Sequence, residues 1–83
     1  MVIELSKTKI YDTNEIQTQM IAEIIKDVKE SLEEKGYDSI NQIVGYLMSG
    51  DPGYISSYKE ARKKIIKYDR AKIIEVLVRD FIS

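Results

Sequence analysis

The chain has 83 residues with neither cysteine nor histidine, and its 13 Lys and Arg against 14 Asp and Glu give a net charge of −1. A chain this short forms one domain at most and buries only about 60% of its unfolded surface, so a monomer would be marginally stable. The missing residue types exclude a disulfide framework, a thiolate zinc site, and catalysis by a thiol or an imidazole. We therefore expect a non-enzymatic protein without a metal or a cofactor.

The hydrophobic and charged residues also bear on location and partners. No apolar run approaches the roughly 18 residues that span a bilayer, and Met1–Lys7 lacks the basic start and apolar core of a signal peptide. We expect a cytoplasmic protein that does not insert into membranes. Residues 1–55 carry 5 Lys and Arg against 10 Asp and Glu, whereas residues 56–83 carry 8 against 4. This asymmetry is typical of solvated helix faces, or of contact between the halves, between protomers, or with an anionic group.

The first segment, residues 1–11, is expected to be an extended, flexible N-terminal arm, followed by a single helical domain over residues 12–83. The arm has apolar residues of strand-like propensity but no evident partner strand: Val2, Ile3, Leu5, Ile10 and Tyr11. Ser6 and Thr8 stand beside Lys7 and Lys9. Hydroxyls beside basic residues in a mobile arm are accessible to a protein kinase.

The first helix is predicted to start near Asp12–Asn14, where a cap residue is followed three positions later by Glu or Gln, and to end at Gly36. Its apolar residues recur every three or four positions and predict one buried stripe: Ile16, Met20, Ile21, Ile24, Ile25, Val28 and Leu32.

The second helix is predicted from Ser39, which would form a capping box with Gln42, to the stop at Gly50. Its predicted stripe consists of Ile40, Ile43, Val44, Leu47 and Met48. Gly45 lies in the middle of this helix, where glycine costs about 1 kcal/mol relative to alanine. We interpret it as permitting close approach of another helix, in preference to a ligand role.

The segment Gly50–Gly53 predicts a tight corner in which Asp51 caps and Pro52 takes the first position of a turn. A brief helical turn is expected at Tyr54–Ser57 and a third helix from about Ser57 to Lys67. Asp69 is the expected N-cap of a last helix, which is either separate from the third or continuous with it as a kinked rod. The predicted inner face of the last helix is Ile73, Ile74, Leu77, Val78 and Phe81.

A basic run accompanies the third helix. Lys59, Lys63, Lys67 and Arg70 are expected on one helical face, with Arg62 and Lys64 flanking them. Such a face could bind a phosphate group or an acidic helix, or it could be a solvated face packed by lysine stems. As an alternative function, the second helix, the corner and the basic third helix could form a helix-turn-helix nucleic-acid-binding module. The negative net charge and the Asp51-Pro52 corner argue against nucleic acid as a partner.

The sequence segments Asn41–Tyr46 and Ser49–Pro52 resemble those of the IreB family, which consists of small regulatory phosphoproteins of low-GC Gram-positive bacteria. The resemblance extends through Tyr58–Arg62, Ile65–Arg70 and Ile73–Val78, and covers roughly residues 8–82. The residues that we single out as its structural motif are Gly36, Asn41, Gln42, Gly45, Gly50, Asp51 and Pro52.

This resemblance implies a helical homodimer without catalytic activity. It also implies a substrate of a membrane Ser/Thr kinase with PASTA repeats, opposed by a phosphatase, that acts as a negative regulator of cell-envelope stress responses and cephalosporin resistance. The family's acceptors are threonines in a Thr-x-x-Thr pattern before an aromatic residue. Here Tyr11 matches the aromatic residue, Thr8 the second threonine, and Leu5 replaces the first. Thr8 is therefore the implied acceptor, with Ser6 as a neighbouring alternative.

We thus expect an all-α bundle of four to five helices with an extended arm. The predicted stripes hold more large aliphatic residues than a monomer of this size easily covers, which favours a homodimer. The downstream protein partner is not specified by these patterns.

Overall fold

The computed structural model describes residues 13–83, which form four α-helices and two short 3₁₀ turns, with no strand in that range. The elements are α1 (Thr13–Glu34), α2 (Ser39–Ser49), the 3₁₀ turns Pro52–Tyr54 and Tyr58–Glu60, α3 (Ala61–Ile65) and α4 (Arg70–Ile82). The prediction of an all-helical fold is confirmed. The predicted arm lies outside the described residues.

Gly36 ends α1 in the manner that the sequence predicted. Its φ of 88° lies in the left-handed region, which costs a glycine little. The Gly36 N–H donates to the Glu33 carbonyl at 2.9 Å and the Tyr37 N–H to the Leu32 carbonyl at 2.9 Å. This pair of bonds is the Schellman arrangement, which satisfies carbonyls at the end of the helix.

The predicted capping box at the start of α2 is wrong. The N-cap is Asp38, whose side chain accepts from the Asn41 backbone N–H at 3.1 Å. Ser39 is instead buried and donates its hydroxyl to Glu33 of α1 at 2.7 Å. The Ser39 hydroxyl is used in the contact with α1, so it does not cap α2. Gln42 is then free for a longer-range bond, described below.

The predicted third helix over Ser57–Lys67 is also wrong. Lys59 and Glu60 have φ angles of 50° and 63°, so the backbone turns left-handed before α3, which has only five residues. Residues 66–69 then separate α3 from α4, which excludes the single kinked rod. The helical turn expected at Tyr54–Ser57 lies earlier, at Pro52–Tyr54, with Asp51 as its cap and Pro52 in its first turn, as predicted.

The core forms where α1 packs against α2, α3 and α4. Its members are Ile21, Val28, Leu32, Ile43, Tyr46, Ile55, Ala61, Ile65, Ile73 and Val76. The predicted apolar stripes were partly wrong. Tyr46 and Val76 are buried core residues that the prediction missed. Conversely, five predicted members are exposed: Ile16 and Met20 near the start of α1, and Ile40, Val44 and Met48 of α2. In α4, Ile74, Leu77, Val78 and Phe81 of the predicted inner face are exposed, and Ile73 is its buried member. Both α2 and α4 are apolar over more than one face, so spacing alone does not show which face meets α1.

Candidate interaction surfaces

Side chains at the end of α2 and in the segment after it form a hydrogen-bonded corner. Ser49 donates its hydroxyl to the Gly45 carbonyl at 2.7 Å and accepts from the Asp51 N–H at 3.0 Å. Asp51 in turn accepts from the Gly53 N–H at 2.9 Å. Gln42 reaches across to accept the Ser56 N–H at 3.0 Å through its side-chain oxygen. Side-chain oxygens of Ser49, Asp51 and Gln42 thus accept from backbone N–H groups of the segment that follows α2.

Gly45 lies beneath the ring of Tyr54. A Cβ at Gly45 would stand 2.4 Å from Tyr54 Cδ1 and 2.9 Å from its Cε1, which is closer than such atoms pack. The close approach predicted at Gly45 therefore exists, but the approaching group is a tyrosine ring of the corner, and the prediction of a neighbouring helix is wrong. Local spacing gave no sign of this contact, because Tyr54 folds back only after the turn at Pro52.

Two arginines of the basic run donate hydrogen bonds to backbone carbonyls on either side of this corner. Arg70 donates through Nη1 to the Leu47 carbonyl at 3.0 Å, near the C-terminus of α2, where a cation is favoured. Its guanidinium lies against Gly50, where an added Cβ would be 2.9 Å from Cζ. Arg62 donates through Nε to the Ile55 carbonyl at 2.8 Å.

Two lysines of the run pair with α1. Lys59 Nζ contacts Glu34 Oε1 at 2.8 Å, and Lys64 Nζ contacts Asp27 Oδ2. Tyr58 joins the first pair: its hydroxyl donates to Glu34 Oε2 at 3.3 Å, and Lys59 Nζ is 5.8 Å from the ring centroid. The sequence had no local signal for Glu34 or Asp27. The opposite charge of the two halves was the only indication, and these pairs confirm contact between the halves.

The basic run therefore does not form the single helical face that was expected. The left-handed backbone at Lys59 and Glu60 breaks the register, and Arg62, Lys64 and Arg70 bond within the chain. Lys63 and Lys67 are exposed, and Lys63 lies 4.0 Å from Glu60. Phosphate or partner binding by these cations stays a prediction, and it would have to compete with the contacts described.

Three glutamates have lowered pKa values, each with a partner in the fold or on its own helix. The hydrogen bond from Lys59 lowers the pKa of Glu34. The hydroxyl of Ser39, followed by Lys29, lowers the pKa of Glu33. The hydrogen bond from Arg79 lowers the pKa of Glu75. These carboxylates act as ionised partners in stabilising contacts, and none has the raised pKa that a general acid requires.

An apolar face of α2, the α2 outer face, points away from the core. It consists of Ile40, Val44 and Met48, spaced four residues apart, and Met48 is 81% exposed. Side chains at this spacing lie one above another along a helix. The buried side of α2 is formed instead by Ser39, Ile43 and Tyr46, so the outer face contributes nothing to the core.

A second such face, the α4 outer face, consists of Ile74, Val78 and Phe81, with Phe81 88% exposed. The core side of the same helix is formed by Ile73 and Val76. Large apolar residues grouped on an exposed helix face mark interaction surfaces more often than isolated ones do. The two outer faces are thus the strongest candidate interaction surfaces in the described part of the chain.

The helix-turn-helix interpretation gains no support from this geometry. A recognition helix must lie in the major groove with several side chains on base edges. Here α3 has five residues, and Arg62 and Lys64 within it are bonded to Ile55 and Asp27.

The described residues, 13–83, hold neither a cluster for a metal ion nor a helix that could span a membrane. No group of three or more acidic, histidine or cysteine side chains in that range could hold a metal ion. No helix there has the length and apolar character to cross a membrane. Thr8 and Ser6, the candidate phosphoacceptors, lie outside the described residues.

A family model described as "IreB regulatory phosphoprotein" matches residues 6–83. The match contains Ser6 and Thr8, the corner, and all four helices. This match confirms the resemblance that the sequence motifs around Gly45 and Asp51 indicated.

Proposed function

The chain belongs to the IreB family of regulatory phosphoproteins, and on this premise we propose that it is a non-enzymatic cytoplasmic regulator whose protein contacts are altered by phosphorylation of Thr8. The family supplies the regulatory role. We add to it the phosphoacceptor Thr8, the protein partners and the cytoplasmic location.

One observation supports contact with proteins above other mechanisms. The cations that could have bound an anionic ligand are largely used within the fold, whereas the outer faces of α2 and α4 leave large aliphatic and aromatic side chains exposed. We propose that one of these faces forms a homodimer. A second copy of the chain would supply the apolar surface that an 83-residue monomer lacks.

The kinase is proposed to be a membrane Ser/Thr kinase of the PASTA type, with a cognate phosphatase. A phosphate on Thr8 adds about −1.5 to −2 charges and three strong acceptor oxygens, which is enough to change the partners of a short segment. Through an unidentified downstream protein the chain would restrain the response to cell-envelope stress and cephalosporins. Deleting its gene should then raise survival in a cephalosporin, and unchanged survival would contradict this part.

The acceptor assignment is tested by labelling the full chain with the cognate kinase. Wild type and Ser6→Ala should accept phosphate equally, whereas Thr8→Ala should lose nearly all labelling. Thr13→Ala is a matched control, because it removes another threonine close to the same segment. Full labelling of Thr8→Ala would refute the assignment, and loss of labelling only in Ser6→Ala would transfer it to Ser6.

A further inference from the structure

A groove of about 500 Å³ lies between α1 and the C-terminal half of α4. Ala22 and Ile25 of α1 and Val76 and Leu77 of α4 give it an apolar lining. Val76 is buried and Ala22 and Ile25 are half-buried, whereas Lys26, Arg79 and Asp80 at its edge are exposed. The groove thus combines an apolar floor with a charged rim, which is the form of a site for a peptide with apolar side chains.

The length of chain that precedes α1 is sufficient to reach this groove. Twelve residues precede Thr13, where α1 begins, and extended they span about 40 Å. At 1.5 Å per residue, Ala22 and Ile25 lie only about 14–18 Å along α1 from its start. The segment can therefore reverse direction beside α1 and still cover the groove.

The chemistry of these twelve residues also suits the groove. Val2, Ile3 and Leu5 lie eight to eleven residues before Thr13, which is the distance needed for a return, whereas Ile10 and Tyr11 are too close to the helix to reach. Between these apolar groups stand the polar residues from Ser6 to Lys9. The charges of the segment, Glu4 with Lys7 and Lys9, include both signs, as does the rim.

We infer that residues 1–12 dock in the α1–α4 groove of their own chain, with Val2, Ile3 and Leu5 on its apolar floor. This docking holds for the unmodified chain and does not depend on phosphorylation. A second step rests on the function proposed above. Thr8 is three residues from Leu5, so a phosphate there brings a strongly hydrated group close to an apolar contact, and such placement disrupts contacts. Phosphorylation therefore releases the segment.

The absence of cysteine allows a direct test. A nitroxide attached to Ser6→Cys should broaden the amide signals of residues 22–26 and 76–80 when the ¹⁵N-labelled, spin-labelled chain is diluted into excess unlabelled chain. The reverse sample mixes a ¹⁵N-labelled chain that lacks the nitroxide with a chain that carries the nitroxide but no ¹⁵N. In that sample these signals should stay sharp. Broadening in the reverse sample would assign the groove to the segment of a second copy and overturn the inference. Sharp signals in both samples would overturn it too.

Leu77→Gln should abolish the broadening, whereas Met48→Gln, an equally polar change on the α2 outer face, should retain it. Ala22→Gln provides a second groove variant if Leu77→Gln unfolds. Retained broadening in a folded groove variant would overturn the inference.

Phosphorylating Thr8 in the spin-labelled chain should sharpen the signals again. Unchanged broadening after complete phosphorylation would refute release and leave docking intact. Failure of the kinase to modify Thr8 would instead refute the proposed function, with docking decided by the unmodified samples.

Discussion

The side of the molecule formed by the corner and by α3 differs from the outer faces of α2 and α4 in how it uses charge and apolar surface. On the first side, charged groups bond inward, as Lys59 does to Glu34 and Arg70 to the Leu47 carbonyl. On the outer faces, apolar groups such as Met48 and Phe81 point outward. Four cations of the basic run thus bond within the fold, whereas the apolar side chains of the two outer faces stay exposed. We therefore expect partners to meet the outer faces.

The sharpest contrast is between a core and an outer-face side chain. Ile65→Ala removes a side chain with no exposed surface, and such truncations cost about 2–5 kcal/mol. Met48→Ala should change the free energy of unfolding of the monomer by no more than about 0.5 kcal/mol. Urea unfolding at low protein concentration measures both. A large loss from Met48→Ala would show that the α2 outer face belongs to the fold.

The corner can be broken at Gly45. Gly45→Leu should destabilise by about 1–3 kcal/mol, because the new side chain meets the Tyr54 ring. In a Tyr54→Ala background the same substitution should cost clearly less, and this difference in a double-mutant cycle isolates the contact. Equal costs in both backgrounds would mean that Tyr54 is not the obstacle.

These two sites show what the sequence could and could not predict. The first, second and last helices, the stop at Gly36 and the Asp51-Pro52 turn follow from local rules of periodicity and capping, and they were predicted. The third helix was predicted wrongly, because the left-handed backbone at Lys59 and Glu60 follows no such rule. The Tyr54 ring on Gly45 joins residues 9 positions apart and the Ser56 bond to Gln42 joins residues 14 positions apart, both across a turn, so no local pattern encodes them. The same limit explains α2 and α4: spacing identified apolar residues, but the packing against α1 decided which ones became core.

Substitutions at the two residues with left-handed backbone before α3 should change the stability by a smaller amount. Glu60 has a φ of 63°, a conformation that costs a residue with a Cβ about 1–2 kcal/mol. Glu60→Gly should therefore be more stable than Glu60→Val by about that amount. Lys63→Ala is the control for the loss of the exposed Glu60–Lys63 contact. If the valine variant equals the glycine variant in thermal unfolding, the backbone there is not left-handed in solution.

The ion pairs with α1 should give a modest pH dependence. The pKa of Glu34 is lowered in the folded chain by Lys59. A lowered folded pKa contributes stability above the unfolded value of about 4.5, and this contribution is lost as the pH falls through the folded value. Glu34→Gln should flatten the acid side of the stability profile, measured by urea midpoints, whereas Glu30→Gln on an exposed position of α1 should not. Identical profiles for wild type and Glu34→Gln would contradict the assignment.

We propose that the outer apolar faces, and not the basic residues, join this chain to others. Sedimentation equilibrium at tens of micromolar tests this proposal most directly on three proteins: wild type, Val44→Gln/Phe81→Gln and Lys63→Gln/Lys67→Gln. We predict two chain masses for wild type and for the lysine variant, and a shift toward one chain mass for the apolar variant. A wild-type monomer, or a dimer dissociated by the lysine substitutions and retained by the apolar variant, would contradict the account.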